Sequence, residues 1–195
     1  MTGKTKKSII YNNKSVAVFM QKIFIYFWVT SLLGHYLEVV WIYVMHQTTG
    51  STLWKTTIPT VTPLAAPYGL GIVAVILLVV PLIRKYGLHP LGVFVLSTLI
   101  TGTIEYLCAL VLVLSTGHNR YWSYLDQPFN INGYVCLQSA VLFGAGATIF
   151  VYFVYPTLEK LVNGLQKKQR NAIFWLLFGS YSFDLLVLAS SGKFF

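Results

Sequence analysis

Three of the five acidic residues in this 195-residue chain, Glu38, Glu105 and Asp184, stand inside long apolar runs. A carboxylate in hydrocarbon costs roughly 2.5 to 3.5 kcal/mol on insertion scales, so it faces a protein interior or a wet cavity. There it can hold a cation or move a proton. His35 precedes Glu38 by three residues and shares its helix face, and Thr101 stands in the same relation four residues before Glu105. Such groups suit general acid–base work, ligand binding, or hydrogen bonds that tie one helix to another, and residue type alone leaves these uses open.

The elements that position these residues must be membrane spans. At 56% hydrophobic and 10% charged, the chain is far from a soluble domain, which carries about 25% charge. The expected fold class is all-α, a polytopic transmembrane helical bundle. A basic cytoplasmic arm over 1–22 precedes a single transmembrane domain over 23–190, with spans at about 23–45, 62–83, 91–114, 134–155 and 172–189. The first run is too long for a signal-peptide core and lacks a small-residue cleavage site, so it reads as a retained span. The fifth is the shortest and carries Asp184 with Ser180 and Ser182.

A net charge of +9 would suit a nucleic-acid binder, but Lys and Arg cluster at the ends of the apolar runs and read as topology signals. The arm, the Arg84–Lys85 turn and the segment after the fourth span hold eleven basic residues, whereas the opposite side holds only Lys55, Arg120 and Lys193. This asymmetry predicts the N-terminus inside and the C-terminus outside a multi-pass cell-membrane protein. At about 1.5 Å per residue, Glu38, Glu105 and Asp184 then lie roughly 22, 21 and 18 Å from the inner surface, all in the outer half. Gln138 and Tyr68 are shallow on the same side, so a polar cluster open to the outer face is expected.

The stretch from His118 to Gln138 mixes aromatic and polar residues, among them Trp122, Tyr124, Asp126, Asn130 and Asn132. Rings of this kind suit the headgroup zone. The Asn and Asp residues beside Pro128 and Gly133 also make a turn-rich segment able to fold back over the cluster as a lid. Sequence leaves anchor and lid both open. Ala140 and Gly144 stand at small-xxx-small spacing, which favours close helix packing within the chain over oligomerisation. Cys108 and Cys136, both near the outer side, read as small apolar helix residues before they read as a disulfide.

Four blocks together resemble the ABC-transporter type IV permease family: Gly34-His35-Tyr36-Leu37-Glu38, Ala66-Pro67-Tyr68-Gly69-Leu70-Gly71, Glu105-Tyr106, and Tyr121-Trp122-Ser123-Tyr124 leading to Asn130-Ile131-Asn132-Gly133. The likeness runs from about Phe24 to Leu161, and Asp184 would match an Asp that family members often carry in a final span. Two departures stand out. The family's Trp-Asp-Tyr-Ser is Trp122-Ser123-Tyr124-Leu125 here, with Asp126 close enough to take part of the missing acid's role. His35 stands where Trp is commoner. The resemblance implies a permease-like membrane component without naming a cargo.

The chain has no Walker A loop, so it is not the ATP-hydrolysing half of such a system, and its inner loops offer little surface to an ATPase. It also has no His-Glu-x-x-His, no Gly-x-Ser-x-Gly and no metal-ligand spacing among its Cys and His residues. No cofactor is expected. The favoured reading is a transporter-like subunit with an outward-facing carboxylate site for a polar or cationic ligand. It is formed by His35, Glu38, Tyr68, Glu105, Trp122, Tyr124, Asp126, Asn130, Asn132, Gln138 and Asp184. Its expected partners are the lipid bilayer and a homo-oligomer or partner membrane subunit, with no nucleic acid. An embedded enzyme acting on a lipid headgroup, with Glu38 or Glu105 as base and His35 as acid or shuttle, and a scaffold subunit are the alternatives.

Overall fold

The computed structural model describes residues 3–49, 64–119 and 121–190, apart from the side chains of 3–14, 41–42, 44–49 and 188. Lys55, Arg120 and Lys193 of the charge count, and the predicted start of the second span at Thr62, lie outside the described residues. The chain is mostly helical. Helix α1 spans Gly3–Thr49, α2 Ala66–Tyr86 and α3 Pro90–Thr116. A short hairpin of β1 (Asn130–Ile131) and β2 (Val135–Cys136) leads into α4, Leu137–Ile149. A π-helical turn, Phe150–Val154, joins α4 to α5, Tyr155–Gly164, and α6 covers Lys167–Ser190.

Among the described residues, four helical stretches are long and apolar enough to cross a membrane: Ser15–Val40, Ala66–Tyr86, Pro90–Thr116 and the continuous Leu137–Gly164. They correspond to the first four expected spans with shifted ends. The basic arm is helical from Gly3 and runs into the first span without a break. The fourth begins three residues later than expected and reaches Gly164. Helix α6 covers the expected fifth span but is not among the four.

Local signals explain the boundaries. Pro67 and Pro90 occupy first-turn positions, where a missing N–H costs nothing. Gly87 and Gly117 close α2 and α3 in the left-handed conformation, returning their N–H groups to Ile83 and Val113. Pro156, just inside α5, has no N–H to give the preceding turn, and the helix widens there so that Tyr155 N–H reaches Phe150 O.

Helix α2 packs between α1 and α3, α3 packs on α4, and α6 leans on α1. Lipid tails are as apolar as leucine, so these contacts depend on close fit. A Cβ on Gly69 would collide with Ser31 and Phe27 of α1, and one on Gly144 would collide with Thr98 of α3, including its Cα. Gly102 likewise faces Ala140. The Ala140–Gly144 spacing therefore serves packing of α4 on α3. The α1–α6 seam is aromatic, with Phe24 5.5 Å from Phe174 and Phe27 5.5 Å from Tyr181 between ring centroids.

The apolar core lies toward the C-terminal half of α2, where Val75, Val79 and Val80 meet Val93, Ala147, Phe150 and Tyr155. Beside it, Arg84 pairs with Glu159, which also accepts a 2.9 Å hydrogen bond from Tyr155. Lys22 donates to Asn163 at 2.7 Å, and Gln21 donates to Asn171 at 3.1 Å while accepting from Arg170 at 3.1 Å. These contacts fasten α1, α2, α5 and α6 at one end of the bundle. The other end, at the start of α2, holds a cavity lined by Glu38, Glu105 and aromatic rings.

Candidate functional site

Glu105 lies midway along α3 and is 3% exposed. Both of its oxygens have donors from other elements. Tyr124 of the α3–α4 connection donates to Oε1 at 2.7 Å, and Ser139 in the first turn of α4 donates to Oε2 at 3.0 Å. The α4 start is fixed by reciprocal bonds: Ser139 N–H donates to Cys136 Sγ at 3.4 Å, and Cys136 N–H donates to Ser139 Oγ at 3.1 Å. Glu105 thus sits against a helix N-terminus, which favours negative charge. Cys136 and Cys108 are both free thiols.

The connection is ordered by its own chemistry. Ile131 to Tyr134 form a tight turn in which Tyr134 N–H reaches Ile131 O at 3.0 Å. The central Asn132 and Gly133 have φ of 55° and 70°, as an Asn-Gly hairpin turn requires. Asn130 accepts from Gly133 N–H at 3.0 Å and donates to Gln127 O at 2.8 Å. Tyr124 N–H then bonds Gly133 O at 2.9 Å, and Trp122 Nε1 donates to Tyr134 O at 2.9 Å. These bonds turn Tyr121, Trp122 and Tyr124 back toward α3. Burial, followed by the charge of Glu105, holds the Tyr124 phenol well above its ordinary pKa, so it stays a proton donor.

The result is a cavity of about 80 Å³. Helix α1 contributes His35 and Glu38, the start of α2 Pro67 and Tyr68, α3 Glu105, the connection Tyr121, Trp122 and Tyr124, and α4 Phe143. Leu64 and Ala65 complete the wall. Tyr68 fits because Gly34 of α1 has no side chain, since a Cβ there would overlap the Tyr68 ring. Phe143 meets Tyr68 edge-on, with centroids 4.7 Å apart.

Six of the expected site residues therefore converge: His35, Glu38, Tyr68, Glu105, Trp122 and Tyr124. The other five do not line the cavity. Asp126 is exposed and lies outside the cavity lining. Asn130 shapes the turn, and Asn132 donates to Tyr106 Oη at 3.0 Å. Gln138 is exposed, because α4 begins at Leu137 and its phase turns Ser139 toward Glu105 instead. Asp184 is buried in α6, in electrostatic contact with Tyr181, which packs on α1. Thr101 spends its hydroxyl on Ser97 O of its own helix at 2.8 Å. Sequence reasoning passed over Ser139, Tyr121 and Phe143. The Cys136-x-x-Ser139 cap was the available signal for the first, whereas the other two required the folded connection.

A bundle of long apolar helices around a carboxylate-bearing cavity defines an integral membrane protein. The family model described as "Putative ABC-transporter type IV" matches residues 25–189, and the chain belongs to that family. It is an ABC-transporter-like membrane protein, associated with the lipid bilayer. The match extends past the four resemblance blocks into α6 and includes Asp184. No curated protein and no solved structure matches the chain.

Proposed function

We propose that the chain is a permease-like transporter subunit of the cell membrane whose cavity is a carboxylate site for a polar or cationic ligand, open toward the outer face. One observation carries this reading. Glu38 and Glu105, on separate helices and remote in sequence, line the same small cavity, and all four family-like blocks contribute to it. Two carboxylates in a poorly solvated space attract positive charge far more strongly than they would in water. The excess of Lys and Arg on one side supports an N-terminus inside, and α6 is read as a fifth span that carries the chain back outward. A five-span subunit cannot divide into two equal inverted halves, which favours a homo-oligomer or a partner subunit completing the path.

The test is thermal stability in detergent for wild type, Glu38→Gln and Glu105→Gln against a panel of inorganic and organic cations. Stabilisation that rises with ligand concentration in the wild type and vanishes in both variants is expected, because a ligand bound only by the folded state raises its stability. Equal responses in all three proteins would sink the carboxylate site.

A further inference from the structure

We infer that the cavity selects a small organic ammonium ion over a bare metal cation. The inference rests on the cavity being a ligand site, as proposed above, and narrows the class of ligand. The two carboxylates are only part of the lining. Five aromatic rings, Tyr68, Tyr121, Trp122, Tyr124 and Phe143, come from three separate segments and make up most of the remaining wall. An enclosure of rings with a few carboxylates is the chemistry that recognises alkylated ammonium groups. The ring faces attract the positive charge, and the apolar bodies accommodate the methyl groups.

A hard divalent cation has the opposite needs. Calcium takes six to eight oxygens and magnesium an octahedron of them, and aromatic carbon supplies none. Glu105 is further committed, since its two oxygens already accept from Tyr124 and Ser139. A charge spread over an alkylammonium group can be balanced by carboxylates that keep those donors, whereas a metal ion would require direct coordination.

Size narrows the class again. A dry cavity of about 150 Å³ holds benzene, with six heavy atoms. By the same proportion the 80 Å³ here suits a ligand of about three heavy atoms, the size of dimethylammonium or ethylammonium. The lining residues of the connection are held by hydrogen bonds within it and to Glu105, so the rings are positioned before a ligand arrives. Preorganisation of this kind reduces the ordering cost of binding.

The experiment is equilibrium binding of labelled dimethylammonium to the purified full-length protein in detergent, with methylammonium, sodium and potassium as competitors. Saturable binding is expected, displaced by methylammonium but not by equal concentrations of sodium or potassium. Glu38→Gln and Glu105→Gln should weaken it at least tenfold. Phe143→Leu keeps apolar bulk but removes a ring and should weaken binding by about 2- to 30-fold, with Phe143→Tyr restoring it. Undiminished binding to Phe143→Leu and to Trp122→Leu would overturn the aromatic selection. So would carboxylate-dependent binding of sodium or potassium with no affinity for dimethylammonium, an outcome that leaves the carboxylate site intact. Absence of carboxylate-dependent binding for every cation tested would remove both readings.

Discussion

Glu105 shows how a costly residue is retained in an apolar helix. Its carboxyl group is surrounded but fully engaged, with Tyr124 on one oxygen and Ser139 on the other. Removing either donor leaves a buried acceptor without its partner, which costs about 1 to 3 kcal/mol. Tyr124→Phe should therefore lower the melting temperature in detergent by about 2 to 12 °C while the protein stays folded. An unchanged melting temperature would mean that the connection is not held to α3 through this bond. The exposed Arg84–Glu159 pair at the other end is of a different kind, with Arg84 59% accessible. Arg84→Ala should shift stability by no more than about 1 kcal/mol, as measured by the same melting curve.

At the scale of the element, helix ends and glycines decide where side chains arrive. The start of α4 at Leu137 orients Ser139 toward Glu105 and leaves Gln138 outside, so a shift of one residue would carry Ser139 about 100° round the helix and away from Glu105. Glycines at the seams let α2 and α4 approach their neighbours closely. Gly144 and Gly146, in the same helix, give a paired test, since a methyl at the first meets Thr98 while one at the second meets nothing within 4 Å. Gly144→Ala should destabilise the protein by about 1 to 3 kcal/mol through overpacking. Gly146→Ala should be neutral or slightly stabilising, and equal effects in the two variants would show that α3 and α4 are not packed at this register. In the hairpin, Gly133 has φ of 70° and faces Leu125. Its alanine variant should disturb the segment carrying Trp122 and Tyr124, seen as reduced ligand stabilisation alongside a lower melting temperature.

For the whole molecule, the proposed five-span topology assigns each loop to one side of the bilayer. Single cysteines introduced at Ser123 and Lys168, in a background with Cys108→Ala and Cys136→Ser, can be labelled in intact cells with a membrane-impermeant reagent. The proposed topology expects labelling at position 123 from outside and at position 168 only after the membrane is opened. A third cysteine, replacing Ser190 at the end of α6, should label from outside if α6 is a fifth span. Labelling there only after permeabilisation would leave four spans with both ends on one side.

The apolar runs and the costly carboxylates within them were legible in the sequence, because hydropathy acts over a few turns of chain. The family blocks were legible as well, and they contain eight of the cavity's lining residues. What one face of one helix offers to another was not legible, since it depends on helix phase and on how closely backbones approach. Only the tertiary structure gave Ser139, rather than Gln138, to Glu105, brought Tyr121 and Phe143 into the cavity, left Asp126 exposed, and placed Asp184 in the α1–α6 seam. Depth along a helix is a property of the chain, whereas facing and enclosure are properties of the packed bundle.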